Sequence, residues 1–144
     1  MDKICVINGP NLNLLGTRQP EIYGTTTLKE VNEMISKEAE KMGIKTDFFQ
    51  SNHEGEIIDK IHSLIDKGFS GIIINPGAFT HYSYAIRDAI SSTDIKTVEI
   101  HLSDISQREE FRKISVIKDV CINQIKGHGP KGYIMALETL KKSI

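Results

Sequence analysis

The residues able to do chemistry in this chain gather in short polar clusters, each following an apolar, β-branched run. After the first run comes Asn8-Gly9-Pro10-Asn11, after the second Gln50-Ser51-Asn52-His53-Glu54, and after the third Asn75-Pro76-Gly77-Ala78-Phe79-Thr80-His81. The fourth closes in Glu99-Ile100-His101-Leu102-Ser103 and the fifth in Gly127-His128-Gly129. Imidazoles, carboxylates, amides and hydroxyls in this mixture are equipment for moving protons and for hydrogen bonding a small polar molecule. Glu99 and His101 stand two residues apart, so a strand would turn both to one face, where the carboxylate would keep the imidazole charged or relay a proton to it.

Those clusters need a frame that brings them together. Five strand-like runs are expected, at Lys3–Asn8, Lys45–Gln50, Gly71–Asn75, Thr97–His101 and Val120–Lys126. Helical spacing of apolar residues falls between them, at Thr27–Met42 with Gly43 as its stop, Glu54–Lys67 with Gly68 ending it, Ser83–Ser91, and Gly132–Lys142. Ile105–Ile117 reads as a short helix within an irregular connection. Strand, helix and parallel strand in repetition predict an α/β chain of the flavodoxin-like, three-layer kind, with one five-stranded parallel sheet in a single domain spanning 1–144. Ligands of such sheets bind at the carboxyl ends of the strands, where the polar clusters lie.

Composition narrows the function classes. A chain of 144 residues can bury about 70% of its unfolded surface without staples. A formal net charge of −1 gives no basic excess for nucleic acid, so any anion must be met locally. No apolar stretch approaches the roughly 20 residues of a spanning helix, so no membrane partner is expected. MDKICVINGP breaks at Asn8-Gly9-Pro10 before a signal region develops, which predicts a cytoplasmic protein. Cys5 and Cys121 both fall in apolar runs and are expected as small hydrophobes in strands. Gly127-His128-Gly129-Pro130-Lys131-Gly132 matches a dinucleotide-binding pattern, but no later strand with an acidic residue follows it. There is no P-loop, no G-x-S-x-G and no H-E-x-x-H. No cofactor and no metal are expected.

The long connection after the first run, from Asn8-Gly9-Pro10-Asn11-Leu12-Asn13-Leu14-Leu15-Gly16-Thr17-Arg18 to Ile22-Tyr23-Gly24, reads as a lid at about 16–25. With it, the whole pattern resembles the type II 3-dehydroquinate dehydratases. The resemblance rests on N-G-P-N-L-N-L-L-G-x-R, I-Y-G, S-N-x-E-G, N-P-G-A-x-T-H, R-D-A, V-E-x-H-L-S, R-E-x-F-R and the terminal G-x-G, in order from Asn8 to Gly129. It implies a hydro-lyase that converts 3-dehydroquinate to 3-dehydroshikimate by anti elimination through an enolate, with neither metal nor Schiff base. The competing reading is a non-catalytic module of the same fold that holds a small hydroxy acid or phosphate. The chain keeps every residue the chemistry requires, which favours the enzyme.

The resemblance assigns Tyr23 as the base and Arg18 as its charge partner. A free phenol has a pKa of about 10, and lowering it to about 7 takes roughly 4 kcal/mol, which one guanidinium about 4 Å away supplies at an effective dielectric near 20. Asn11 matches the residue at the enolate oxygen, and His101 matches the general acid, with Glu99 behind it. Leu102 and Ser103 match the carboxylate-binding residues, while Asn75, His81 and Arg112 match the contacts that order the ring hydroxyls. Arg108 is assigned no catalytic role. The chain departs from the pattern at Gln19, Asp104, Ser106 and His128. Asp104 adds a charge beside Ser103, so substrate affinity is the property it would alter.

The resemblance further implies a homo-oligomer, a dodecamer built as a tetramer of trimers, in which Asp88 reaches a neighbouring subunit's site. His81 and Asp88 are expected at the start and middle of one helix, on one stripe and roughly 10 Å apart along its axis. A single small ring could hardly be held by both from one chain.

Overall fold

A helix returns the chain to the amino end of the sheet after each of the first three strands, and an irregular connection with 3-10 turns does so after the fourth, so all five strands lie parallel. The computed structural model describes residues 1–17, 21 and 24–144. Among them the strands are β1 (Asp2–Asn8), β2 (Ile44–Gln50), β3 (Gly71–Asn75), β4 (Lys96–His101) and β5 (Asn123–Lys126). The helices are α1 (Leu28–Lys41), α2 (Glu54–Ser63), α3 (Tyr84–Ser91) and α4 (Lys131–Ser143). The sheet is wholly parallel in the order β2-β1-β3-β4-β5. That is the flavodoxin-like order, whose crevice opens where the winding reverses, between β1 and β3.

Alternation along β1 builds both layers. Ile4 and Val6 face a core with Val31, Ile35 and Ala39 of α1 and Tyr133, Ala136, Leu137 and Leu140 of α4. Cys5 and Ile7 face the other, with Ile57 and Ile61 of α2 and Ile86, Ala89 and Ile90 of α3. A strand buried on both faces must be apolar at every position, which is why β1 and β3 read as continuous runs. Helix α1 starts at a capping box: the Glu30 amide donates to Thr27 Oγ1 at 3.2 Å, and the Thr27 amide donates to Glu30 Oε1 at 3.1 Å. Gly43, at φ 74°, closes its far end.

Three expectations need correction. Helix α2 stops at Ser63, four residues short of Lys67, because the Ser63 hydroxyl donates back to the Lys60 carbonyl at 2.6 Å and the next amides bond three residues back. The last strand begins at Asn123 and not Val120, since the Val120 and Cys121 amides close a 3-10 turn onto Ile117 and Lys118. Cys121 is therefore a half-buried turn residue, while Cys5 is a buried strand residue; both thiols are free, and burial pushes each up to about 12. Ile105–Ile117 forms no α-helix but two 3-10 turns, Ile105–Gln107 and Glu110–Arg112. No helix among the described residues is long and apolar enough to cross a membrane.

Candidate active site

The turns after β1 and β3 close on each other because Gly9 lacks a side chain, and β4 is brought alongside by its pairing with β3. A Cβ there would lie 2.5 Å from the Pro76 carbonyl oxygen, so the turns after β1 and β3 could not close together with any other residue. The Gly9 amide donates to the Asn75 carbonyl at 2.8 Å across that contact. The cleft so formed is lined by Asn11, Asn75, His81, His101, Leu102, Ser103, Arg108 and Arg112, with Pro10, Leu12, Gly77, Ala78 and Ile105.

Its floor is two buried polar networks. In the first, Tyr133, fully buried on α4, donates its hydroxyl to Asn8 Oδ1 at 2.5 Å and accepts from Asn75 Nδ2 at 3.3 Å. Asn75 Oδ1 in turn accepts from the Gly77 amide at 3.2 Å, so the Asn75 carboxamide is fixed from both ends. Burial pushes the Tyr133 phenol well above its ordinary value, which keeps it a neutral donor.

The second network surrounds Glu99, whose side chain has no exposure at all. His101 Nε2 lies 2.5 Å from Glu99 Oε2, as strand alternation predicts. The Thr80 hydroxyl donates to the same oxygen at 2.6 Å, and the Ser115 hydroxyl reaches Oε2 at 2.8 Å and Oε1 at 2.9 Å. Burial is the largest influence on Glu99 and pushes its carboxyl up. The hydrogen bond and charge of His101, with the two hydroxyls, outweigh it and leave Glu99 below the usual carboxylate range. An ionised carboxylate accepts only, so His101 Nε2 carries a proton and Nδ1 is the nitrogen left to exchange one with a ligand.

His81 is held by Nδ1, which donates to the Ile114 carbonyl at 2.7 Å. Burial lowers its pKa; the charges of His101 and Arg112 add to that, against the Ile114 bond and Glu99. Arg112 is steadied by Glu109, Nε to Oε2 at 3.1 Å, and lies 4.7 Å from the centre of the Phe111 ring. Arg112 and Arg108 with the two histidines give a cleft suited to an anion in a chain of nearly zero net charge.

Of the residues singled out by sequence, Asn11, Asn75, His81, Leu102, Ser103, His101 and Arg112 all line this one cleft, and Glu99 stands directly behind His101. Tyr23 and Arg18 lie outside the described residues, as does half of the segment at about 16–25. The shared helical stripe of His81 and Asp88 is not found. His81 ends a 3-10 turn, Tyr82 at φ −151° leaves helical geometry, and Ser83 caps α3 by accepting from the Ile86 amide at 3.0 Å. Asp88 is exposed on α3 and does not line its own chain's cleft. Arg108, to which the sequence assigns no catalytic role, also lines the cleft beside Arg112, and their shared R-E-x-F-R block is the signal that places the two together. Asp104 does not line the cleft: its Oδ1 accepts from the Ser106 amide at 3.0 Å and hydroxyl at 2.6 Å, so two departures from the family pattern bind each other. Those bonds hold the Asp104 carboxyl below its ordinary range.

A flavodoxin-like sheet with a buried carboxylate–imidazole pair opening on a cationic cleft defines a class of small-molecule acid–base protein. Within that class the chain belongs to the class II dehydroquinase family, whose model matches residues 2–141. It is 60% identical over 142 residues to a 3-dehydroquinate dehydratase of Caldicellulosiruptor saccharolyticus, covering 99% of this chain and 98% of that one. The crystal structure of a type II dehydroquinase from Butyrivibrio crossotus superposes with a TM-score of 0.95 at 54% identity, covering 96% of this chain and 97% of that one. One from Propionibacterium acnes gives 0.94 at 37% identity, covering 99% and 97%.

Proposed function

We propose that this chain is a type II 3-dehydroquinate dehydratase, acting in the shikimate pathway that leads to chorismate and the aromatic amino acids. The observation that carries the reading is the buried Glu99–His101 pair, with Nε2 held and Nδ1 left for a ligand, in a chain of this family. In the proposed reaction the Tyr23 phenolate, stabilised by Arg18, takes the proton alpha to the ketone. The electrons move onto the ketone oxygen beside Asn11, and the enolate then expels the departing hydroxyl, which takes a proton from His101 and leaves as water. One proton passed from Tyr23 to His101 resets the site. Leu102 and Ser103 receive the substrate carboxylate, and Asn75, His81 and Arg112 order the ring.

The reading includes a single domain, 1–144, in which the segment at about 16–25 supplies Tyr23 and Arg18. It includes a cytoplasmic setting, where two unpaired cysteines stay reduced. It also includes a dodecamer, a tetramer of trimers, in which Asp88 completes a neighbouring site; its position on α3, outside its own cleft, supports this. Mixing Tyr23→Phe and Asp88→Ala chains under subunit exchange should restore part of the activity each lacks alone. Absorbance of the conjugated enone product on adding 3-dehydroquinate tests the function itself. No absorbance change, with the ligand bound, would favour a non-catalytic binding module. Borohydride added with substrate should leave the enzyme active, because the route forms no imine.

A further inference from the structure

One carboxylate, Glu99, receives donors from three separate stretches of chain: His101 on its own strand, Thr80 at the end of the turn after β3, and Ser115 in the irregular segment before β5. Two hydroxyls carry two protons, and their geometry delivers both to the same group. Thr80 is fully buried, and Ser115 stands 3.1 Å from it.

The segment that carries Ser115 has no regular structure to hold it, yet three hydrogen bonds tie the residues on either side of it, Ile114 and Val116. The Ile114 carbonyl accepts from His81, the Val116 amide donates to the Thr80 carbonyl at 2.8 Å, and the Val116 carbonyl accepts from Arg87 Nη1 at 2.8 Å. Two of these ties come from Thr80 and His81 themselves, so the loop is registered against the very residues that face the reacting groups.

We propose that Thr80 and Ser115 are positioning residues for the proton donor: their hydroxyls fix the Glu99 carboxylate, and through it the His101 ring, so that Nδ1 is presented to the cleft. The proposal rests on the dehydratase reading above. A donor to an ionised acceptor is about twice as strong as one between neutral groups, and a ring held through one nitrogen takes its orientation from that acceptor. Both hydroxyls also help keep Glu99 ionised where burial opposes it. The other titratable groups nearby are His81 and Arg112 across the cleft, Cys121, whose thiol feels the Glu99 charge, and Lys126, in register with His101 on β5.

The test compares Thr80→Val, Ser115→Ala and the conservative Thr80→Ser, each with folding verified by urea unfolding. Thr80→Val and Ser115→Ala should each lower kcat about tenfold or more while KM changes little, as expected for loss of a hydrogen bond to a charged group. The acid limb of the kcat profile should move to higher pH, because a carboxylate with fewer donors takes up a proton more readily. Thr80→Ser should restore both. Folded Thr80→Val and Ser115→Ala proteins with wild-type kcat and an unmoved acid limb would overturn the proposal, as would a rate loss with no change in the limb. Should Thr80→Val fail to fold, Ser115→Ala decides by the same two readouts. Nitrogen-15 NMR of the His101 ring separates this inference from the dehydratase reading. An inactive wild type would sink that reading alone, and the bracing would still be judged by whether His101 titrates differently in the variants, an unchanged titration overturning it.

Discussion

The two ends of the sheet differ in a way that their sizes conceal. At the amino end, a hollow of about 680 Å³ is lined by Met1, Lys3, Ser36, Glu40, Ile44, Lys45, Thr46, Asp47 and Phe69. The cleft at the carboxyl end holds about 60 Å³. Yet the charged groups of the larger hollow make ordinary surface contacts: Lys3 donates to the Lys67 carbonyl at 3.0 Å and lies over Phe69, and Asp47 pairs with Lys60 at 3.0 Å. The small cleft stands over Asn8, Asn75, Thr80, Glu99 and His101, all buried and each with a defined partner. Burying polar groups costs free energy unless each is paired, and a fold that does so at one edge is holding them for a purpose other than stability. The volume of a hollow says little about that.

The strongest way to sharpen the contrast is to remove the proton carriers. Tyr23→Phe and His101→Ala should each lower kcat by at least about 100-fold while product still binds, measured by enone absorbance and calorimetry. Retention of more than a tenth of the wild-type rate would take the altered residue out of the chemistry.

Glu99→Gln removes a charge and keeps the shape. Its kcat should fall about tenfold or more, and its stability should lose a pH dependence that the wild type has. The folded carboxyl sits below the ordinary range of about 4.3, so its contribution is present above that value and is lost as pH falls through the folded one. Urea unfolding between pH 6 and pH 3, about the range in which glutamates titrate, should show a smaller acid loss for the variant. Equal acid losses would mean that Glu99 is not ionised in the folded protein.

Tyr133→Phe should cost about 1–3 kcal/mol of stability, because Asn8 and Asn75 each lose a buried partner, and it should raise KM more than it lowers kcat, since Asn75 lies on the binding side of the cleft. An unchanged urea midpoint would show that the carboxamides find other partners.

How far the sequence reveals these networks depends on the range over which each is built. Strands β1 and β3 are legible because both faces are buried, and the Glu99–His101 pair because two-residue alternation is a local rule. The Thr80 and Ser115 contacts are not legible: their hydroxyls are common residue types, and they meet Glu99 only after a loop 16 residues beyond it folds back. The His81–Asp88 stripe is absent for the opposite reason: local spacing extends a helical period through Ser83, but the Ser83 side chain caps α3 and so starts the helix after His81. Tyr133 reads as ordinary helix core, and nothing local announces that its hydroxyl reaches strands β1 and β3.

The smallest effect is expected at the amino end, and it is the one that could break the comparison. Lys3→Ala removes a side chain that lines the large hollow, caps the Lys67 carbonyl and covers the Phe69 ring at 4.5 Å. An exposed ammonium making one such bond and one ring contact contributes about 0.5–1 kcal/mol, so a slight fall in the urea midpoint is expected. kcat and KM should not move, because the hollow lies at the strand ends opposite His101, with the length of the sheet between them. A substrate-dependent change in rate would mean that the two ends are coupled, and that the larger hollow takes part in the chemistry carried out at the smaller cleft.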